Sequence, residues 1–250
     1  MSTNLAALSN TLKRLVLGAN AVCATAAFSM QDNCSAQSGA SQVPVIELYT
    51  SEGCSSCPPA DRWLSGLKGQ AAQGRVVAQA FHVGYWDYIG WIDRFAAPAH
   101  TARQKQIAAA NNQRGIYTPQ LVRNGQDWRD YGRALAPGTD PSRASINLQR
   151  VAGDAFDATV TPAAGVGVWS AYWTVTEHGH SSKVKSGENA GEYLQHDFVV
   201  RQYVPAGTYS GPSRLTLRAV AADAAHPRQV NLVVFEPKTG RPLQALSLGC

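Results

Sequence analysis

Two cysteines stand where a predicted strand gives way to a predicted helix, and this junction constrains the fold most strongly. Residues 45–50 form a short, nearly all-apolar run, as expected for a strand that is covered on both faces. Gly53 provides a turn, and Cys54 and Cys57 follow, separated by two residues. Two prolines come next, which suits the first turn of a helix because N–H groups there lack intrahelical partners. The pattern predicts a dithiol at the start of a helix.

The position of this dithiol favours thiol–disulfide chemistry. Free N–H groups and the helix dipole would stabilise a thiolate on Cys54, the predicted nucleophile. Cys57 would then resolve the mixed disulfide. The alternatives are a static disulfide and half of a zinc site. A zinc site needs four ligands, and no metal is predicted because the histidines that could complete the set are dispersed, at His82, His100 and His196.

The N-terminal segment predicts export. Lys13 and Arg14 precede an uncharged stretch, residues 15–31, that is too polar and too short for a comfortable membrane span. We expect a signal peptide over residues 1–36 and a linker over residues 37–43; the alternative is an N-terminal helix that packs on the protein. Export would give a periplasmic or secreted protein without a stable membrane anchor after cleavage.

The cleavage site decides which cysteines remain. Cleavage after Ala36 would leave Cys250 as the only cysteine outside the dithiol, whereas cleavage near residues 24–26 would also keep Cys34. Cys34 could then pair with Cys250, and the sequence leaves this open. The net charge of the whole chain is +5, with basic residues scattered rather than clustered, so no nucleic-acid partner is predicted.

Two parts are predicted beyond the linker, with a boundary near residues 137–141. Residues 44–140 alternate between strand and helix patterns and end in a hairpin at Asn124-Gly125, which predicts an α/β domain with a mixed sheet flanked by helices. Residues 150–250 contain strand patterns separated by turn residues, which predicts a β-rich antiparallel sandwich or meander. The predicted strands are 156–161, 166–176, 197–204, 214–220, 229–235 and 243–248.

A second motif adds a resemblance to a known superfamily. Tyr117, Thr118 and Pro119 lead into a predicted strand that ends at the Asn-Gly turn. This stretch resembles the cis-proline loop of the thioredoxin superfamily, which lies against the dithiol and pairs with a substrate peptide. The resemblance implies a cis bond before Pro119 and a Thr118 that faces the cysteines, although an isolated Thr-Pro bond is normally trans.

Residues 43–250 also resemble an uncharacterised bacterial family of secreted thioredoxin-like proteins. The shared motifs are the Cys-Ser-Ser-Cys-Pro-Pro-Ala-Asp block at 54–61, an aromatic-rich segment at 82–91, Tyr-Thr-Pro-Gln at 117–120 and a stretch over 188–201. The resemblance implies a thioredoxin-like fold and export. It supplies no established activity, so the function still depends on the cysteines.

Other residues are predicted to support the dithiol. Glu47 would accept the Cys57 proton if its carboxyl points inward; the alternative is a surface-facing strand residue. Tyr85 and Trp86, together with Tyr117, are predicted to bind substrate beside the dithiol; the alternative is that the aromatic segment caps the core.

Three polar residues in the matched C-terminal stretch form a further candidate site. His196, Asn189 and Arg201 are predicted either to face the dithiol from the second part or to form a structural polar cluster.

The sequence as a whole predicts an exported thiol–disulfide oxidoreductase. Its partners would be protein or small-molecule thiols and disulfides, and it would need no cofactor beyond its own redox-active disulfide. The main alternative is a non-catalytic binding module that recognises a protein or ligand. A weaker alternative is a protein that handles a soft metal ion such as Cu(I).

Overall fold

The computed structural model describes residues 1, 34–135 and 140–250. Most of the predicted signal peptide and most of the predicted boundary at 137–141 lie outside these residues. The strands are β1 Ser35–Gln37, β2 Val45–Thr50, β3 Val77–His82, β4 Gln120–Arg123, β5 Gln126–Asp127, β6 Ala144–Ala152, β7 Ala155–Pro162, β8 Val168–Glu177, β9 His180–Lys183, β10 Tyr193–His196, β11 Val199–Ser210, β12 Ser213–Arg218, β13 Arg228–Phe235 and β14 Pro242–Leu248. The helices are α1 Pro58–Ser65, α2 Lys68–Ala72 and α3 Pro98–Ala110, with 3-10 turns at Asp87–Ile89 and Tyr131–Arg133.

An eight-stranded mixed sheet carries the predicted dithiol segment. Its strand order is β14-β13-β8-β11-β3-β2-β4-β5. β2 runs parallel to β3 and antiparallel to β4, and β3 also pairs in parallel with β11 through Ala80 and Val199. β2 is therefore an interior strand, which explains why all six of its residues are buried.

The two faces of β2 contact different helices. Ile46 and Leu48 pack in one apolar cluster with Ala60 and Leu64 of α1. Tyr49, on the opposite face by the alternation of strand side chains, packs in another cluster with Ile107 of α3.

α1 begins at Pro58, as predicted, and Cys57 is its N-cap residue. α3 begins at Pro98, because proline suits the first helical turn.

A second, antiparallel sheet has the order β1-β6-β7-β12. Its apolar side chains, such as Ile146 and Phe156, form a common core with Trp169 and Trp173 of β8. β9 and β10 form a separate two-stranded hairpin. No helix among the described residues is both long and apolar enough to span a bilayer.

A disulfide joins Cys34 to Cys250, with 6.0 Å between their Cα atoms. Of the two arrangements that the sequence leaves open, the structure therefore has the paired one. Cleavage after Ala36 would remove Cys34 and cut β1, whereas cleavage near residues 24–26 would keep both.

The predicted fold class is wrong. The described residues are mostly strands in large mixed and antiparallel sheets, with three short α-helices, rather than an α/β thioredoxin-like fold with flanking helices. Strands from 44–140 and from 150–250 share the eight-stranded sheet, and Asn33–Cys250 forms one compact unit. Hydrophobic patterns predict single strands, but pairing between strands far apart in sequence leaves no local signal.

Candidate active site

The two cysteines of the Cys-Ser-Ser-Cys motif lie together in the turn between β2 and α1. The Cys57 N–H donates to the Cys54 carbonyl at 3.1 Å, which closes the turn at the start of the helix. Both are free thiols, and both are buried, with relative exposures of 2% for Cys54 and 0% for Cys57. Cys54 is thus slightly more exposed than Cys57.

The surroundings of the two thiols shift their pKa values in opposite directions. The pKa of Cys54 is lowered to about 6, first by a hydrogen bond from the Cys57 thiol, then by Thr118 and by the backbone N–H groups of Ser56 and Cys57. Burial raises the pKa of Cys57 well above its usual range, and the nearby Cys54 sulfur raises it further. At neutral pH the site therefore favours a Cys54 thiolate next to a protonated Cys57.

The Thr118–Pro119 bond is cis, as the resemblance to the cis-proline loop implies. The Thr118 carbonyl oxygen lies 3.8 Å from the Cys54 sulfur, within the range of a thiol hydrogen bond. The proline loop therefore lies directly against the dithiol.

Trp86 forms one wall beside Cys54. Its indole N–H donates to the Thr118 hydroxyl oxygen at 2.8 Å, which leaves the hydroxyl hydrogen available to the Cys54 sulfur. The backbone of Gly53 lies so close to Trp86 that an added Cβ would be 2.9 Å from the Trp86 Cβ. A glycine is needed here because the indole segment packs on the turn itself.

The two predicted tyrosines differ in position. The Tyr85 hydroxyl is buried without a hydrogen-bond partner, and burial raises the pKa of Tyr85 to about 12. The Tyr117 hydroxyl instead donates to Asp127 at 2.7 Å. The side chain of Tyr117 therefore serves the β4–β5 hairpin, and only its backbone belongs to the proline loop.

Glu47 does not lie beside the dithiol. Arg103 of α3 donates to both of its carboxylate oxygens, at 2.6 and 2.8 Å, and the hydroxyls of Tyr49 and Tyr172 donate to it as well. These partners lie on the face of β2 that is opposite α1, because strand side chains alternate. The prediction that Glu47 takes the Cys57 proton fails for this reason.

Asp61 is the carboxylate that the structure places next to Cys57. It lies one helical turn after Cys57 in α1, is buried, and accepts a hydrogen bond from the Thr50 hydroxyl at 3.1 Å. Its charge raises the pKa of Cys57, and burial raises its own pKa. The i, i+4 spacing between Cys57 and Asp61 is a sequence signal that points to this residue.

A buried polar network continues from Asp61 away from the dithiol. His196 Nε2 lies 3.2 Å from Glu52 Oε1, and His196 Nδ1 lies 4.0 Å from Asp61 Oδ2. His82 pairs with Asp93 at 2.7 Å, and the Asp93 carboxylate also accepts the Glu52 N–H at 2.9 Å. Single-sequence patterns place these residues on separate elements, so the network has no local signature.

The segment between β9 and β10, residues 184–192, covers the turn that carries the dithiol. We call it the cover loop. Asn189 donates to the carbonyls of Glu52 and Cys54, at 2.8 and 3.0 Å. The Glu188 carboxylate accepts the Ser55 N–H at 2.9 Å. Of the three C-terminal candidates, Asn189 and His196 therefore lie at the site.

Arg201 lies elsewhere. Its guanidinium is 3.6 Å from Glu177 and stacks over the Phe95 ring. No group of three or more histidine, cysteine, aspartate or glutamate side chains in the described part of the chain is arranged to hold a metal ion.

Residues 45–236 match the family model described as "Protein of unknown function (DUF1223)". This range contains the dithiol, the proline loop, the buried network and the cover loop. No functionally curated protein matches the chain.

Two solved structures are similar to the chain. Protein AGR_C_4864 from Agrobacterium tumefaciens has a TM-score of 0.64 and 28% sequence identity, covering 84% of this chain and 96% of that one. HBP35 of Porphyromonas gingivalis has a TM-score of 0.58 at 12% identity, covering 84% of this chain and 75% of that one. At this low identity the second likeness concerns the fold alone.

Proposed function

We propose that this chain, which belongs to the DUF1223 family of proteins of unknown function, is a thiol–disulfide oxidoreductase. The observation that carries the proposal is the unequal pair of thiols: a Cys54 whose pKa is lowered to about 6, beside a protonated Cys57. A structural pair of thiols needs no such difference in pKa. Exchange needs one thiolate that attacks the substrate and one thiol that stays protonated until it resolves the mixed disulfide.

The proposed reaction runs in two steps. The Cys54 thiolate attacks a substrate disulfide, one substrate sulfur leaves as a thiolate, and a mixed disulfide forms on Cys54. Cys57 then loses its proton to Asp61 and attacks the Cys54 sulfur, so that the second substrate thiolate leaves and Cys54–Cys57 becomes the oxidised pair. Two electrons have passed to the substrate. The reverse sequence oxidises a dithiol substrate, and the relative reduction potentials decide the direction.

The proline loop supports substrate binding in this proposal. The Thr118 carbonyl lies beside the Cys54 sulfur, and Trp86 presents a partly exposed ring on the same side. A substrate that carries a protein or small-molecule thiol would approach between these groups, since aromatic rings bind apolar segments well.

The proposed location is outside the cytoplasm. The Cys34–Cys250 disulfide supports this, since such bonds persist mainly in oxidising compartments. The N-terminal sequence pattern of two basic residues before an uncharged stretch is the other support.

Trapping of the mixed disulfide tests the function. A Cys57→Ser variant should accumulate adducts on Cys54 when it is incubated with oxidised glutathione or with an unfolded disulfide-containing protein, as measured by mass spectrometry. The Cys54→Ser variant is the matched control and should form none at this site.

One observation favours the alternative of a non-catalytic binding module, namely the 2% exposure of Cys54. In that case the folded Cys57→Ser variant would form no adduct, although Cys54 would react fully after denaturation. This result would contradict the exchange proposal.

A further inference from the structure

A cavity of about 500 Å3 lies on the side of α1 that faces the β9–β10 hairpin. Its mouth is formed by exposed side chains, including Arg62, Glu192 and Gln195, and its lining includes the buried residues Asp61 and His196. The cavity does not border either cysteine. It therefore connects Asp61 and His196 with solvent without passing either cysteine.

The second exchange step requires such a route. Cys57 is fully buried and must release a proton before its sulfur can attack Cys54. Asp61 is the carboxylate whose charge acts on Cys57, but it is buried too, and burial raises its pKa. Asp61 must therefore pass a proton on before it can take up the proton of Cys57. Water cannot reach Cys57 directly because its exposure is 0%.

His196 has a nitrogen atom in the right place to empty Asp61. Its Nε2 faces the Glu52 carboxylate, which favours the tautomer with the hydrogen on Nε2. Nδ1 is then an acceptor, is buried without any partner, and lies 4.0 Å from Asp61 Oδ2. One water molecule from the cavity can bridge this distance.

We propose that His196 relays the Cys57 proton from Asp61 to the cavity. This inference rests on the proposed exchange function and deepens it. The proton passes first from the Cys57 sulfur to the Asp61 carboxylate. It then moves to His196 Nδ1, and from there to water in the cavity. The Cys57 thiolate keeps the electron pair and forms the bond to Cys54.

The charged and titratable groups around the relay suit this role. Glu52, from the turn after β2, faces the imidazole; its pKa would rise on burial, but hydrogen bonds from His196 and other donors lower it. The ring of His82, from β3, lies 4.8 Å from that of His196 and itself pairs with Asp93. Arg62, Glu188 and Glu192 border the cavity. The His196 imidazole thus lies between the carboxylates of Glu52 and Asp61, with one ring nitrogen towards each.

The two steps can be timed separately with 5,5′-dithiobis(2-nitrobenzoate). Attack by Cys54 releases one coloured thiolate, and attack by Cys57 on the resulting mixed disulfide releases the second. In His196→Gln we expect the first release to keep its rate and the second to slow about 10-fold or more at pH 7. The second release should recover as the pH is raised, because hydroxide replaces the lost acceptor.

A matched control lies across the hairpin. His180 is the cross-strand partner of His196, is also buried, and faces Glu177 instead of Asp61. His180→Gln should leave both releases unchanged. Asp61→Asn should slow the second release as His196→Gln does, and the double variant should be no slower than the slower single one, since both residues serve one path.

Two results would overturn the relay. One is a second release in His196→Gln with the rate and pH profile of the unsubstituted protein. The other is an equal loss of both releases in His196→Gln and His180→Gln, which would indicate a packing role. Neither result touches the exchange function, which instead fails if Cys57→Ser traps no substrate.

Discussion

Cys54 and Cys57 carry identical side chains three positions apart, and their environments make them different reagents. Cys54 has a hydrogen-bond donor in Thr118 and in the N–H groups of the turn, whereas Cys57 lies beneath it beside the carboxylate of Asp61. The first arrangement stabilises a negative sulfur and the second opposes one. Chemistry at this scale is set by which donors and charges surround each sulfur atom.

Alkylation of Cys54 by iodoacetamide should follow its lowered pKa. The thiolate is the reactive form, so the rate should rise with pH, reach half of its plateau near pH 6 and stay level above about pH 7. Thr118→Val removes a donor to the thiolate and should move the midpoint to higher pH, while the control Thr118→Ser should not. A midpoint near the pKa of a free thiol, about 8.5, would contradict this.

The choice between Glu47 and Asp61 shows what the sequence can predict about the site. The dithiol and its helix follow from local motifs, because turns and helix starts depend on neighbouring residues. The cis-proline loop follows from the resemblance to the thioredoxin superfamily. Whether Glu47 points towards the dithiol depends on which face of β2 meets α1, and the nearly all-apolar sequence of that strand lacks the alternation that would reveal it.

Glu47→Gln should therefore affect stability rather than reactivity. It leaves Arg103 buried without its carboxylate partner, and removal of one member of a buried ion pair costs about 3–5 kcal/mol. Urea unfolding should show this loss, while the pH midpoint of Cys54 alkylation stays the same. Glu192→Gln, at an exposed position, is the control and should unfold as the unsubstituted protein does. A slower second thiolate release in a folded Glu47→Gln protein would restore Glu47 as proton acceptor.

At the scale of elements, the dithiol is assembled from three segments that come from distant parts of the sequence. The turn before α1 supplies the sulfurs, the loop before β4 supplies Thr118, and the cover loop supplies Asn189. The first two have recognisable motifs. The contact of the cover loop with the turn involves ordinary polar residues. The sequence therefore offers Asn189 as a candidate but does not identify the backbone carbonyls to which it donates.

Asn189→Ala should open the route to Cys54. The substitution removes two hydrogen bonds that fix the cover loop to the turn, each of which contributes about 1 kcal/mol. Labelling of Cys54 by a bulky maleimide should become about 3- to 10-fold faster, and labelling by iodoacetamide should change less. Glu192→Ala, in the same loop, is the control. Equal rates in all three proteins would show that the cover loop does not limit access.

At the scale of the whole molecule, the eight-stranded sheet unites segments that the sequence divides into two parts. Strand patterns at β7, β8 and β11 to β14 are visible in the sequence, but β6 and the β9–β10 hairpin are not predicted. The order of strands depends on contacts such as that between β3 and β11, for which a single sequence holds no information. Local structure was therefore predictable, and the architecture was not.

The Cys34–Cys250 disulfide closes almost the entire described chain, with a sequence separation of 216 residues. Replacement of both cysteines by serine should lower the free energy of unfolding by about 2–5 kcal/mol, since the open chain gains entropy when it unfolds. Thermal unfolding should show a lower Tm than that of Cys54→Ser, which keeps the ring closed. Identical Tm values would mean that the bond adds nothing to stability.

The pairing of β3 with β11 has a practical consequence for anyone who wishes to isolate the reactive segment. A fragment that ends near residue 135 would lack β11, so β3 would become an open sheet margin with bare backbone groups, prone to sticking to other copies. It would also lose Asn189, which binds the turn that carries the dithiol, and His196, which lies next to Asp61. Truncation should thus yield an aggregating peptide, not a smaller catalyst.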